Sequence, residues 1–153
     1  MSEPEIVKEL EEISALFVQS AHGAEHVDGR LVLKSVTPST IYFSDRPQRV
    51  VGHVGTSEFI GFWDDGEDSF AEDPPNAVLA FIASGESVPE EVVIEISDPI
   101  LDGADLSYAA KVLDGTLPIR ADGCSLFIDP FGRPLSPVSV AGMNRRSRRR
   151  GRR

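Results

Sequence analysis

Five Asp-Gly dipeptides divide this chain into short segments, and their spacing constrains the fold more than any other feature of the sequence. The dipeptides begin at Asp28, Asp65, Asp102, Asp114 and Asp122. Asp-Gly favours a type I′ turn, in which both central residues have positive φ, and such turns join neighbouring antiparallel strands. The spacing therefore predicts a chain built largely from β-hairpins.

The segments near these turn signals alternate apolar and polar residues with a period of two, which is typical of antiparallel strands. Residues 76–82 differ because they are apolar on both faces, which fits a central buried strand or a short buried helix, and their length favours the strand. About seven strands are expected in all. The clearest are residues 30–36, 40–44, 76–82, 92–96, 106–112 and 124–128.

Two helices are also predicted. Ser2 and Glu5 have the spacing of a capping box, and the apolar residues that follow recur at helical intervals, so a helix is expected to run from the N-terminus until about residues 20–23. Residues 56–63 are expected to form a short internal helix with Thr56 or Ser57 as its cap. The apolar face of the N-terminal helix would carry Ile6, Leu10, Ile13 and Phe17.

These elements predict a mainly β (α+β) fold, an antiparallel β-sandwich or open barrel with an N-terminal helix and a short internal helix. Residues 1–142 are expected to form a single β-rich domain, which is long enough to bury a core without disulfides or metal. Residues 143–153 are expected to be a disordered arginine-rich tail, because they cannot bury enough apolar surface to offset the entropy of ordering.

The chain carries one cysteine, Cys124, so no intrachain disulfide can form. Cys124 falls on the apolar phase of its predicted strand and is expected to be a buried small hydrophobe. The N-terminus is acidic and lacks an apolar signal region, and the longest wholly apolar run is far shorter than the roughly 18 residues that a membrane span needs. We expect a cytoplasmic protein without a membrane partner.

The charge of the chain is divided unevenly. The chain has 25 acidic and 15 basic residues, a formal net charge of -10, and its last acid is Asp129. Seven of the last nine residues are arginine, so the first 144 residues hold only eight basic residues and carry -17. This division predicts that electrostatics governs which partners the protein meets. The predicted partner-binding residues are Arg145, Arg146, Arg148, Arg149, Arg150, Arg152 and Arg153.

A second candidate site is a ligand-binding loop. Asp45, Arg46 and Arg49 follow a predicted strand, and two arginines could clamp an anionic ligand. His53 could titrate near neutral pH, and Trp63 belongs to an aromatic cluster that follows. The structural alternative is that Asp45 and Arg46 order a turn while the aromatic residues fill the core.

Metal and catalytic motifs are weak. His22 and His26 frame an H-x-x-E-H string, which on a helix would place both rings on one face. Gly23 and the turn signal at Asp28 oppose a helix, and on a strand the rings would be about 13 Å apart. The acidic stretch over residues 64–73 lacks the spacing of a calcium loop. No phosphate loop, G-x-S-x-G or CxxC pair appears, so no metal, cofactor or catalytic residue is predicted.

Three stretches of the chain look familiar: STIYFSDRPQRVVGH, FWDDGEDSFAEDPPNAVL and SLFIDPFGRPLSPVSVAG. They resemble a family of uncharacterised bacterial proteins with no known activity, over roughly residues 28–142. The resemblance implies that residues 1–142 form one unit, and it brings no catalytic residue with it.

The sequence favours a non-enzymatic interaction module whose tail contacts an anionic partner, either an acidic protein surface or nucleic acid. Guanidinium groups suit carboxylate and phosphate alike. The acidic body would repel a polyanion, and no aromatic residue alternates with the arginines to stack on bases, which favours the protein surface. A tail without a role and a homo-oligomer joined through tail and body stay open. The alternative function is a small-molecule-binding protein or small enzyme with a pocket near Asp45, Arg46, Arg49 and His53.

Overall fold

The computed structural model of the chain describes Leu10 and residues 14–45, 49–64 and 69–130. In the last three ranges the chain forms eight strands and one short helix. The strands are β1 Leu16–Val27, β2 Arg30–Val36, β3 Ser39–Ser44, β4 Val50–Gly55, β5 Asn76–Ala83, β6 Pro89–Asp102, β7 Asp105–Asp114 and β8 Arg120–Ile128, and the helix is α1 Thr56–Gly61.

Six of these strands close into an antiparallel barrel in the order β1-β2-β7-β6-β5-β8. Closure occurs at β1, which pairs with β8 along one edge and with β2 along the other. Ala24 illustrates this double pairing, because it faces Leu33 of β2 and Ala121 of β8. The predicted sandwich or open barrel is therefore corrected to a closed barrel with a hairpin attached.

The attached hairpin arises because β2 and β3 follow each other along the same edge of β1. Val36 faces Ala21 at the end of β2, and after Thr37 and Pro38 the chain resumes pairing as β3, with Ile41 opposite Val18. The outer edge of β2 then pairs with β7, whereas the outer edge of β3 pairs with β4. The β3–β4 hairpin thus leaves the barrel wall, and β4 lies at the end of the sheet.

Local irregularities give the barrel its curvature. The register of β6 against β7 shifts between Ser97 and Ile100, where Asp98 has a φ of 50°. Arg30 holds this bulge by donating to the Asp98 carbonyl at 2.6 Å and pairing with the Asp98 carboxylate at 3.1 Å. Such bulges bend and twist a strand, and closing a small barrel requires that bending.

The core fills the barrel and continues beneath α1. Alternate residues of every barrel strand point inward and are almost fully buried, as Leu31, Leu79 and Leu126 show. One end is covered by aromatic rings that pack at centroid distances of 4.9 to 6.1 Å, typical of favourable tilted and edge-to-face contacts. This aromatic plug consists of Phe17, Phe59, Phe62, Trp63 and Phe70.

The prediction for the N-terminal region was wrong from residue 16 onward. Residues predicted to end the helix form β1, and Phe17, assigned to the helical face, points into the barrel with no exposed surface. Pairing with β8 and β3 overrides the helical spacing because both edges of the segment gain sheet partners. Residues 1–9 and 11–13, where the helix was expected to begin, lie outside the described residues.

The turn predictions have mixed outcomes. Asp28 and Gly29 form the two-residue β1–β2 turn with φ values of 50° and 76°, as a type I′ turn requires. In the β6–β7 hairpin Asp102 pairs with Asp105, so the turn is shifted by one residue and only its first central residue, Gly103, has positive φ. Asp122 lies inside β8, which corrects the turn predicted there, and Asp65 lies outside the described residues.

The other element predictions are largely confirmed. All six strands named from the sequence are present, five of them predicted from alternation, and residues 30–36 match β2 at both ends. The segment that is apolar on both faces is the strand β5, which pairs with β6 and β8. The internal helix is present and begins at Thr56, but it ends at Gly61 rather than at residue 63, and its N-cap is Gly55 rather than the predicted Thr56 or Ser57. The strands that the sequence did not indicate are β1 and β4.

Within the described ranges no helix reaches the length and apolar character that crossing a bilayer requires. The predicted tail, residues 143–153, lies outside the described residues, as do residues 131–142 at the end of the predicted domain.

Two strand glycines give a test of the β1–β8 seam. A Cβ atom at Gly23 would lie 2.9 Å from the Ala121 carbonyl oxygen, whereas one at Gly123 would meet no atom within 4 Å. We expect Gly23→Ala to lower the free energy of unfolding by about 1–3 kcal/mol, because the strands must move apart. Gly123→Ala, the matched control, should leave it unchanged or slightly raised. Equal urea denaturation midpoints for the two variants would contradict the close pairing of β1 with β8 at Gly23.

Candidate functional site

The predicted ligand-binding loop lies at the tip of the β3–β4 hairpin. Asp45 and Arg49 form an ion pair at 3.7 Å, with side-chain exposures of 80% and 86%. An ion pair this exposed is screened by water and contributes little to stability. Arg46 lies outside the described residues. The described part of the loop therefore offers two exposed opposite charges.

His53 and Trp63 lie on different sides of the hairpin. The His53 side chain is exposed on the outer face, where its Nδ1 atom lies 3.3 Å from the Ser39 hydroxyl. Trp63 is only 6% exposed and packs in the aromatic plug against Phe70 and Tyr108 at 4.9 and 5.6 Å. The structure thus separates Trp63 from the loop with which it was grouped. Ligand binding by Asp45, Arg49 and His53 stays a prediction.

A chain of hydrogen bonds crosses the barrel interior, and none of the sequence-based predictions included it. The Tyr108 hydroxyl donates to the Gln19 side-chain carbonyl at 2.6 Å, and the Gln19 amide donates to the Thr40 hydroxyl at 3.3 Å. Thr40 bonds the Thr56 hydroxyl at 2.9 Å, and Thr56 donates to the Thr37 carbonyl at 2.7 Å. This buried polar chain connects β7, β1, β3 and α1.

The burial of these groups shows what the polar chain does. Gln19, Thr40 and Tyr108 have no exposed surface, and Thr56 has 2%. Among the described side chains no fully buried nitrogen or oxygen atom lacks a hydrogen-bond partner. An unpaired polar group would be costly here, so any movement that broke one of these hydrogen bonds would be unfavourable. The buried polar chain therefore fixes one position of the hairpin relative to the barrel. Burial also raises the pKa of the Tyr108 hydroxyl, so it stays protonated.

A cleft of about 290 Å³ lies where the hairpin leaves the barrel. Its walls come from the end of β2, the start of α1 and the β6–β7 turn, and Thr56 from the buried polar chain reaches it. The volume is at the lower limit for small-molecule sites. None of the described side chains that line it is ionisable, so these residues offer hydroxyl and backbone groups for binding and no general acid or base. The lining residues are Val36, Thr37, Pro38, Thr56, Ser57, Leu101, Gly103 and Ala104.

Cys124 lies on the buried side of β8, as the sequence predicted. Its thiol lies 3.7 Å from the Gly23 carbonyl, and burial raises its pKa to about 11. The thiolate is the reactive form of cysteine, so this thiol is a packing group and a poor nucleophile at neutral pH.

The H-x-x-E-H string lies on a strand and not on a helix, and a strand is the conformation that argues against a shared metal. His22 and His26 both lie on β1, where four residues span about 13 Å, too far for one ion. In the described residues no three histidine, cysteine or carboxylate side chains are grouped to hold a metal. Asp65, Glu67 and Asp68 of the acidic stretch lie outside the described residues.

Comparisons with known proteins give no further guidance. No family model, curated protein or solved structure matches this chain. Its function must be argued from its own charges and geometry.

The sequence contained a weak signal for the buried polar chain. Thr40 and Tyr108 occupy positions within predicted strands whose neighbours two residues away face inward. A polar residue in that phase requires a partner inside the core. Gln19 could not be assigned because its segment was interpreted as helical, and Thr56 was interpreted as a helix cap.

The buried polar chain predicts a non-additive pair of substitutions. Tyr108→Phe leaves the Gln19 carbonyl without its donor in the core, so we expect it to cost about 1–3 kcal/mol of unfolding free energy. Gln19→Leu should cost a similar amount because it strips Tyr108 and Thr40 of a partner. The double variant should cost clearly less than the sum. Strict additivity in urea denaturation would show that the two side chains do not interact.

The raised pKa values predict a loss of stability in alkali. Tyr108 keeps its proton when folded, whereas an unfolded tyrosine loses it near pH 10, so the folded state is favoured below that pH and loses stability above it. Each such group contributes about 1.4 kcal/mol per pH unit. Cys124 acts in the same direction from its ordinary value of 9.0 up to about 11. Denaturation between pH 9 and about 11 should show a shallower decline in Tyr108→Phe and in Cys124→Ala than in the unsubstituted chain.

Proposed function

We propose that the protein is a non-enzymatic interaction module in which a rigid acidic barrel carries an arginine-rich segment that contacts an anionic partner. The observation behind the proposal is the charge division: a net charge of -17 over the first 144 residues and seven arginines in the last nine. Opposite charges of this density attract partners and accelerate encounter. The proposed location is the cytoplasm.

The described part of the barrel is consistent with a supporting role for the body. Its interior is filled by apolar side chains and by the buried polar chain, whose groups are all bonded to one another. Asp129 is the only charged side chain among the described residues that is buried. A rigid body of this kind can hold an attached segment in a defined place without chemistry of its own.

The chemistry of the partner follows from the guanidinium group. Arginine binds carboxylate and phosphate oxygens through two parallel hydrogen bonds, so both an acidic protein surface and a nucleic acid fit in principle. The segment contains no aromatic residue for stacking on bases, and the acidic body opposes approach to a polyanion. We therefore favour an acidic protein surface, and nucleic acid is the outcome to be distinguished.

The test compares three full-length chains. In one variant all seven tail arginines become glutamine, and in the other they become lysine, which keeps the charge and removes the fork. We expect poly-L-glutamate binding at low salt to be strongest for the native chain, weaker for the lysine variant and lost for the glutamine variant. Binding is measured by fluorescence anisotropy against salt.

Parallel titrations with duplex DNA, single-stranded RNA and heparin distinguish the sources of anionic charge. If all seven arginines met duplex phosphates, log K would fall with log salt at a slope of about -6. Tighter binding to DNA or RNA than to poly-L-glutamate with that slope would reassign the partner to nucleic acid. Equal affinities for the native and glutamine chains would rule out the tail as the binding element.

A further inference from the structure

We infer that the outer edge of β4 is a docking seam for a second copy of this chain, and that two copies pair through Val51 and His53 about a two-fold axis at Gly52. The inference is independent of the proposed role of the tail. It begins from the sheet order, in which the barrel strands pair on both sides and β4 pairs on one side only among the described strands. An edge strand presents backbone groups that can pair with another chain.

The β3–β4 register determines which backbone groups of β4 face outward. The Thr56 amide donates to the Pro38 carbonyl at 2.7 Å, and this pair continues the register in which Ser39 faces Gly55. Directly opposed residues in an antiparallel pair alternate between hydrogen-bonded and non-hydrogen-bonded. Because Thr56 is a hydrogen-bonded position, every second residue before it is also bonded to β3. These residues are Val54, Gly52 and Val50.

The remaining residues of β4 therefore direct their N–H and C=O groups away from β3. These are Val51, His53 and Gly55, but the Gly55 amide already donates to the Glu58 carboxylate at 3.3 Å. With respect to the described residues, Val51 and His53 thus supply two free donors and two free acceptors along the edge, two residues apart.

This arrangement is complementary to itself. When β4 pairs antiparallel with a second β4 about Gly52, Val51 of each copy lies opposite His53 of the other. Each such pair exchanges both backbone hydrogen bonds, so every free group of Val51 and His53 is satisfied. Among registers that use only residues of β4, no other antiparallel arrangement about a two-fold axis satisfies all of them. Gly52 would face its own copy at the axis.

Gly52 suits that position. A Cβ atom there would collide with the Tyr42 ring, which lies over Gly52 from β3. The two glycines at the axis therefore add no side chain to either face of the joined sheet. Glycine within a strand often marks a place where another backbone approaches closely.

Exposed apolar side chains on the outer face of the hairpin also favour pairing with a second copy. Val51 is 72% exposed and Ile41 is 46% exposed. Because Ile41 faces His53 and Phe43 faces Val51 within each hairpin, pairing would create two rows that run from Ile41 through His53 to Val51 and Phe43 of the other copy. These rows place exposed apolar side chains beside one another.

The charge distribution along the two hairpin strands does not oppose a second copy at this edge. The segments Ser39–Ser44 and Val50–Gly55 contain no acidic residue and no lysine or arginine. Two copies with a net charge of -10 each repel, and the repulsion is smallest where no like charges are brought together. A seam of two short strands buries little area, so the dimer is expected to be weak.

The test is hydrogen exchange of the full-length chain followed by NMR at about 20 µM and about 1 mM, the range in which weak dimers form. The Val51 and His53 amides should become protected at the higher concentration. The amides of Gly52 and Val54, which bond to β3, serve as internal controls and should be protected at both. Protection of Val51 and His53 that does not change with concentration would overturn the proposal, as would their rapid exchange at about 1 mM.

Two variants test the seam by sedimentation equilibrium. Val51→Pro removes one donor from each copy at a position where the monomer does not use it, so the fold should persist and the dissociation constant should rise at least about tenfold. Val51→Lys should also weaken the dimer. The control is Val88→Lys, which replaces an exposed valine outside the β3–β4 hairpin (65% exposed) and should not weaken it. Equal dissociation constants for the native chain and Val51→Pro would contradict the seam.

Salt separates this dimer from assembly through the tail. Raising salt to about 0.5 M screens the repulsion between the acidic bodies and should leave the β4 dimer equally strong or stronger. Contacts between arginines and an acidic surface should weaken under the same change. A dimer that dissociates as salt rises would therefore contradict the β4 seam and point to the tail.

Discussion

The double pairing of β1 is the constraint on which the rest of the structure depends. One edge of β1 pairs with β8 along its length, while the other edge is divided between β2 and β3. Pairing with both β8 and β2 closes the barrel. The change from β2 to β3 along the second edge turns the β3–β4 hairpin out of the barrel wall. The buried polar chain then fixes the hairpin to the barrel through Gln19, Thr40 and Thr56. The cleft and the open edge of β4 are both consequences of this branching.

The barrel treats neutral polar groups and charged groups differently. It encloses hydroxyl and amide groups that satisfy one another, and it leaves nearly all of its charged groups outside. The seven arginines of residues 145–153 are densely charged, whereas the β4 edge is neutral. The two proposals therefore concern different partners, one recognised by charge and one by backbone pairing.

Much of the fold could be predicted because local sequence signals agreed with the tertiary structure. Alternation identified β2, β7 and β8, and Asp28-Gly29 identified the first hairpin. The failures occurred where pairing decided the outcome. Leu16 to Phe17 fits a helical face equally well, and only the pairing of β1 on both edges makes the segment a strand. The sequence of β4 reads as a loop because its two glycines interrupt the alternation.

The candidate site was predicted less well, for a related reason. Asp45 and Arg49 do lie together, since a loop places residues four apart within reach. Trp63 was grouped with them because it is near in sequence, but helix α1 and the turn after it place Trp63 in the buried aromatic plug. Tyr108 bonds Gln19, which is 89 residues away in sequence, and Gln19 bonds Thr40, which is 21 residues away, and no local pattern reveals such contacts.

Barrel closure at β1 is tested most directly by nuclear Overhauser contacts from Ala24. The account predicts cross-strand contacts from this residue to both Leu33 of β2 and Ala121 of β8 in the same sample. Contacts to only one of the two would mean that the sheet is open at β1, and the branching that creates the hairpin edge would not exist.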